Sequence, residues 1–328
     1  MIAVLCAFLS AFAAAMLLLP LNIRLVRRLK GGQPILSYVD NHKQKQGTPT
    51  MGGASIALAL FAALGFVRHG DKTAYIILTV TVGYALIGFI DDFIKVRYKH
   101  NKGLSAAQKI VFQVLIAVIV SVYAYYEPSV GSTVYAPFAP HAIELGRFAP
   151  AYFILVFLAF TNSVNLTDGL DGLAASVTAT NALFCCAMLG IAFFAGVLSG
   201  DGALNMIILC AALVGALCAF LCFNTHPAKI FMGDTGSLAL GGFLACVAVL
   251  CKMSLSMLLI GIMYIMTSLS VIIQVISFKT TGKRVFLMSP LHHHFERKGV
   301  FEGKIAVVYT LVTFVCGVVT IMLMLALY

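Results

Sequence analysis

The 328 residues are 61% apolar and only 10% charged, with a mean hydropathy of +1.00. A soluble domain carries about 25% charged residues, so the composition excludes a soluble enzyme, a secreted disulfide scaffold and a disordered chain, and leaves lipid as the solvent. The net charge of +10 would suit nucleic acid in a soluble chain, but the placement of the charges gives it another meaning.

A membrane helix needs roughly 20 largely apolar residues. Ten spans are predicted, at 2–22, 52–67, 73–90, 106–126, 149–165, 172–198, 203–223, 236–251, 254–277 and 305–328. The first has no Lys or Arg before it and Arg24, Arg27, Arg28 and Lys30 after it, the reverse of a secretory signal. That order predicts an outside amino terminus, and ten spans then place the carboxyl terminus outside too. Eighteen of the 22 Lys and Arg fall in the loops so assigned to the cytoplasm; the other four are Arg68, Lys72, Arg147 and Lys252. This is a positive-inside pattern. The basicity is thus explained by topology and anionic headgroups, and no nucleic-acid partner is expected. The nine cysteines lie in or beside apolar runs without metal-finger spacing and read as small core residues. No tandem repeat stands out, and residues 1–328 read as a single integral-membrane domain of all-α class.

The polar chemistry collects in the cytoplasmic loops. Before the second span, Lys45 and Thr50 in KQGTPTMGG either touch phosphate or ribose or serve as an anchor and a turn. Asp91 and Asp92 end the third span, where adjacent carboxylates beside lipid are costly without a compensating cation; a solvated helix end with Lys95 as partner is the alternative. The fifth span runs into Asn162-Ser-Val-Asn165-Leu-Thr-Asp168-Gly-Leu-Asp171-Gly, four polar side chains at every third position. Glycine after each aspartate lets backbone approach a ligand, and helix capping accounts for one such residue rather than four.

Asn224 closes the seventh span, and Phe231-Met-Gly233-Asp234-Thr-Gly-Ser237 opens the eighth. A Gly-Asp-x-Gly-Ser turn at a helix start offers N–H groups, a positive dipole end and a carboxylate, which suits a metal-bound phosphate. The last cytoplasmic loop holds Ser-Pro-Leu-His292-His293-His294-Phe-Glu. Three consecutive histidines cannot all face one way, so phosphate contact and proton transfer suit them better than one tridentate metal site; solvated loop histidines are the alternative. Asp91, Asp92, Asp168, Asp171 and Asp234 on one membrane face, with amides and many cations, fit a divalent ion holding a diphosphate. Magnesium, which takes one or two carboxylates plus phosphate oxygens, suits better than zinc.

DDFIKV, NSVNLTDGLDGLA, MGDTGSLALGG and PLHHHFE, in this order, resemble the polyprenyl-phosphate N-acetylhexosamine-1-phosphate transferase superfamily, and the contiguous histidines resemble its peptidoglycan branch. The match runs from about Lys45 to Glu296 without departure at the motif positions. The resemblance implies a ten-helix transferase of the bacterial cytoplasmic membrane, active on the cytoplasmic face. It would join undecaprenyl phosphate to the phospho-sugar of UDP-N-acetylmuramoyl-pentapeptide, giving lipid I and UMP with Mg²⁺. It further implies Asp234 as the metal ligand and Asp91 and Asp92 as the essential acidic pair. By the same resemblance Asn165, Asp168, Gly169, Leu170, Asp171, Asn224 and Phe231 line the nucleotide pocket, with Phe231 stacking on uracil. Lys45, Thr50, Gln274 and the histidines border it. Two rival readings are a sister transferase using UDP-N-acetylglucosamine and a transporter; the acids sit at helix ends rather than at the bilayer midplane, which speaks against the second. The oligomeric state stays open, a homodimer included.

Overall fold

The structure, a computed structural model, describes residues 1–28, 47–98, 103–137, 139 and 141–327. Helices account for nearly all regular structure: α1 (Ile2–Arg28), α2 (Gly53–Ala59), α3 (Thr73–Tyr98), α4 (Ala106–Tyr126), α5 (Ala149–Thr167), α6 (Leu173–Phe194), α7 (Gly200–Asn224), α8 (Gly233–Leu250), α9 (Ser254–Ile260), α10 (Ile262–Thr281), α11 (Leu291–Arg297) and α12 (Glu302–Leu327). The only sheet among the described residues is a two-residue antiparallel pair, β1 (Thr133–Val134) and β2 (Ile143–Glu144), in the α4–α5 connection.

Among the described residues nine helices are long and apolar enough to cross a membrane, so the chain is an all-α, multi-pass membrane protein. Two of the ten predicted spans take a different form. Residues 52–67 form α2 and then a 3-10 helix, Leu60–Gly65. At about 1.5 Å and 2.0 Å of rise per residue these cover roughly 22 Å, short of the ~30 Å hydrocarbon core. Residues 254–277 are divided at Gly261 into the short α9 and the long α10.

The helix α8 is the central post. Every residue from Thr235 to Leu250 is buried, and α3 and α5 pack along it. Small residues make this approach possible: a Cβ on Gly53 would run into the backbone of Gly236, and one on Gly88 into the Asp234 carbonyl. At the periphery α1, α4, α10 and α12 turn large apolar side chains outward, among them Leu17, Ile119, Ile276 and Met322. In water such exposure would be costly; in hydrocarbon it is the expected surface.

Several polar groups inside the bundle pair with one another. The Tyr84 hydroxyl donates to the Gln113 carbonyl, and the Gln113 side-chain oxygen accepts from Asn162 Nδ2 at 2.8 Å. At one end of the bundle Asn205 Nδ2 donates to the Arg68 carbonyl. The opposite end carries the acidic motifs.

Candidate functional site

The site is built where α8 begins. The strand-like approach to α2 lies along the approach to α8: the Phe231 N–H donates to the Pro49 carbonyl at 2.8 Å, Gly52 N–H to the Phe231 carbonyl, and Gly53 N–H to the Met232 carbonyl. This clamp places Thr50 beside Gly233, whose φ of +74° is one that glycine adopts readily. The Thr50 hydroxyl is buried and has no hydrogen-bond partner among the described residues.

The start of α8 has no side-chain cap of its own. Asp92, from α3, supplies one. Its carboxylate accepts from Asp234 N–H at 3.2 Å, Thr235 N–H at 2.9 Å and the Thr235 hydroxyl at 2.7 Å. A buried carboxylate there satisfies otherwise orphaned N–H groups and meets the positive end of the helix dipole. Asp92 therefore ties α3 to α8 and fixes Asp234.

Asp234 and Asp91 share two lysines. Lys109 Nζ lies 2.6 Å from Asp234 Oδ2 and 3.0 Å from Asp91 Oδ2; Lys95 Nζ lies 3.2 Å and 2.6 Å from the same atoms. Asn165 Nδ2 donates to the other Asp234 oxygen at 2.9 Å and to Ser237 Oγ at 2.8 Å. Asp91 Oδ1 accepts from Leu104 N–H at 2.7 Å. Lys109 is delivered by a capping box, Ser105 with Gln108, that sets the start of α4. A cavity of about 490 Å³ opens beside this cluster, lined by Asp91, Lys95, Leu104, Gln108 and Lys109.

Asp91, Asp92 and Asp234 present carboxylate oxygens within 4.8 Å of one another. Two ammonium groups already lie between Asp91 and Asp234, so the cluster demands positive charge. Hard oxygen donors with no sulfur or imidazole among them fit Mg²⁺. Asp92 is engaged by α8, which leaves Asp234 and Asp91 as the acids of this cluster that could hold a cation.

The other sequence-predicted residues fall into three groups. Asp168, Gly169, Leu170 and Asp171 form the α5–α6 turn. The Asp168 side chain takes no hydrogen bond among the described residues; burial first, then the negative charges of Asp234, Asp92 and Asp171, push its carboxyl up to about 8. Gly169 lies against the ring of the buried His292, so close that a Cβ would strike Nε2. Asp171 Oδ2 accepts from Ala228 N–H at 3.1 Å and faces His226 Nδ1 at 3.1 Å, with Glu302 3.7 Å from the same nitrogen.

A second group consists of scaffold residues. Asn224 accepts from Gly172 N–H at 3.0 Å and donates to the Ile230 carbonyl at 2.8 Å, joining the α5–α6 turn to the loop before α8. Gln274 holds the backbone of Val285 and Phe286. The histidines diverge as expected: His292 points inward, His293 Nδ1 sits 2.8 Å from Glu296, and His294 Nδ1 accepts from Leu287 N–H.

Two expectations stand apart from the cluster. Asn162 lies one turn deeper than Asn165 and is bound to Gln113 and the Leu158 carbonyl, so the structure does not bring it to the acids. Lys45 lies outside the described residues. Conversely, Lys109, His226 and Glu302 join the site region without having been singled out. Lys95 was legible as the residue one turn after Asp91; Lys109 carried no local signal beyond the Ser-x-x-Gln cap preceding it.

The raised Asp168 carboxyl gives a signed expectation. A folded state that prefers the neutral acid loses stability as pH rises from the ordinary carboxylate range through about 8. An Asp168→Asn variant lacks this loss, so its melting temperature in detergent gains on the wild type between pH 5 and pH 9. A constant difference across that range would contradict the environment described.

This all-α membrane protein gathers lysines and carboxylates at a helix start, and the comparisons with known proteins give its class. The family described as Glycosyl transferase family 4 matches residues 73–252, over half of the chain. The chain is 42% identical over 307 residues to the phospho-N-acetylmuramoyl-pentapeptide-transferase of Clostridium novyi (strain NT), covering 93% of this chain and 92% of the relative. It is 46% identical over 315 residues to that of Geobacillus kaustophilus (strain HTA426), covering 94% and 93%, and 43% identical over 313 residues to that of Clostridium perfringens (strain 13 / Type A), covering 94% and 95%. The chain belongs to glycosyl transferase family 4, among the phospho-N-acetylmuramoyl-pentapeptide-transferases, and is a transferase.

Proposed function

We propose that the chain transfers phospho-N-acetylmuramoyl-pentapeptide from its UDP donor to undecaprenyl phosphate, forming lipid I and releasing UMP at the cytoplasmic face of the bacterial plasma membrane. The carrying observation is the convergence of Asp91 and Asp234 with Lys95 and Lys109 at the start of α8. The relatives' names supply the donor, and the cations that follow the first span support an outside amino terminus.

In this reading an oxygen of the acceptor phosphate attacks the sugar-bearing phosphorus of the donor. A new phosphoanhydride bond forms and the bond to the UMP oxygen breaks. An alkyl phosphate is already an anion, so the protein's main tasks are positioning and charge neutralisation. Lys95 and Lys109 reach both phosphate groups from the rim of the cavity, and Asn165 holds Asp234 in place. Mg²⁺ held by Asp234 and Asp91 would neutralise charge on the departing phosphate. Phe231 at the α8 entrance offers a half-buried ring for the uracil, and the orphaned Thr50 hydroxyl and Asp168 carboxyl offer hydrogen bonds to the nucleotide.

The test is UMP release by purified protein in detergent. UMP is expected only with donor, undecaprenyl phosphate and Mg²⁺ together, falling to background with EDTA and returning with added Mg²⁺. UMP formed without acceptor, or only from UDP-N-acetylglucosamine, would overturn the reading.

A further inference from the structure

A large cavity outside the acidic cluster lies beside α11. It measures about 940 Å³ and its walls combine apolar side chains, Val275, Phe278 and Leu287, with three cations, Lys279, Arg284 and Arg297; among the described residues no acid lines it. Phe278 and Leu287 are each 54% exposed. Among the described residues neither Lys279 nor Arg284 forms an ion pair. Volumes of about 300–1,000 Å³ are those of sites enclosing a whole organic ligand rather than one headgroup phosphate.

This cavity is joined to the catalytic region by short, defined links. Gln274 fixes the backbone of Val285 and Phe286, on the cavity's loop. The next residue, Leu287, donates its N–H to His294 at 3.1 Å. Two residues earlier in α11, His292 packs on Gly169, beside Asp168. One face of α11 thus meets the nucleotide side, and Arg297 at its end meets the basic cavity. On the donor assignment above, a substituent that extends from the sugar past α11 would meet that cavity.

We propose that Lys279 and Arg284, with Arg297, bind the terminal carboxylate of the donor's peptide, and that the apolar walls pack against the adjoining peptide. This rests on the donor assignment above. A muramoyl group is an acyl group, so the peptide is joined through its amino end and necessarily leaves a free carboxylate at the other. A guanidinium or ammonium group pairs with a carboxylate through charge-assisted hydrogen bonds, the strong class. The site would make the enzyme a reader of the peptide end and not only of the nucleotide.

The experiment compares two donors, UDP-N-acetylmuramoyl-pentapeptide and its carboxyl-terminal amide, on wild type, Lys279→Gln and Arg284→Gln. With wild type, amidation is expected to raise KM about tenfold with kcat within twofold. Each variant is expected to raise KM about tenfold for the acid donor and to leave the amide donor unchanged. Retained kcat at saturating donor reports an intact fold. Equal KM changes for both donors, or no difference between donors in wild type, would overturn the proposal. So would a variant defect that appears only in vesicles containing phosphatidylglycerol and not in phosphatidylcholine, which would assign the cations to a lipid headgroup. Absence of UMP from wild type with either donor would instead bring down the donor assignment, and this inference with it.

Discussion

Asp234→Ala lowers UMP release about a thousandfold or more while the protein still folds. Asp234 is the one side chain bonded at once to Lys95, Lys109 and Asn165, and its removal leaves two ammonium groups facing Asp91 alone. Loss of a single preorganised group that stabilises developing charge costs about 10²–10³ in rate; loss of the group that also holds the cation exceeds this. The fold survives because the α8 cap is made through the Asp234 and Thr235 N–H groups and the Thr235 hydroxyl, which the substitution leaves in place. Turnover within tenfold of wild type, with an unchanged melting temperature, would contradict the assignment of Asp234 as the metal ligand.

Gly88→Ala, a change of one methyl group pressed against the backbone of Asp234 rather than its carboxylate, reduces turnover about a hundredfold. A Cβ at residue 88 falls well inside contact distance of the Asp234 carbonyl and Thr235 nitrogen, so the buried start of α8 must move away from α3. The Asp92 cap and the lysine bridges span the same gap. Displacement by about 1 Å is enough for a loss of this size when reacting groups must be aligned. The signature is a fall in kcat together with a lowered melting temperature, since interiors do not absorb a methyl group without strain. Full activity in this variant would show that the α3–α8 spacing does not set the geometry of the acids.

Much of this arrangement was legible in the residues because two physical demands act locally. Hydrocarbon solvent dictates long apolar runs, which marked the spans; the cost of carboxylates beside lipid singled out Asp91 and Asp92, the glycine-punctuated spacing Asp168 and Asp171, and the helix-start turn Asp234. What was not legible depends on tertiary contact. Residues 52–67 were apolar enough to read as a full span, but the Gly53–Gly236 backbone contact and the tight 3-10 continuation shorten the segment. Asn162 shares the three-residue spacing of Asn165, yet it lies one turn deeper, where the buried Gln113 takes its amide. Asn224 had the composition of a ligand-binding residue, and both ends of its amide hold backbone instead. Lys109 comes from a separate helix, and only the packing of α4 beside α3 brings it to the acids.

In the proposed reaction, acids from α3 and α8 hold a divalent cation against a donor diphosphate. Manganese, a paramagnetic stand-in for magnesium, tests it directly: electron–nuclear double resonance on the purified protein with Mn²⁺ and UDP reads phosphorus coupling to the metal. A ³¹P coupling is expected in wild type and is expected to be lost in Asp234→Ala at the same metal and nucleotide concentrations. An identical coupling in the variant, or none in an active wild-type protein, would contradict it.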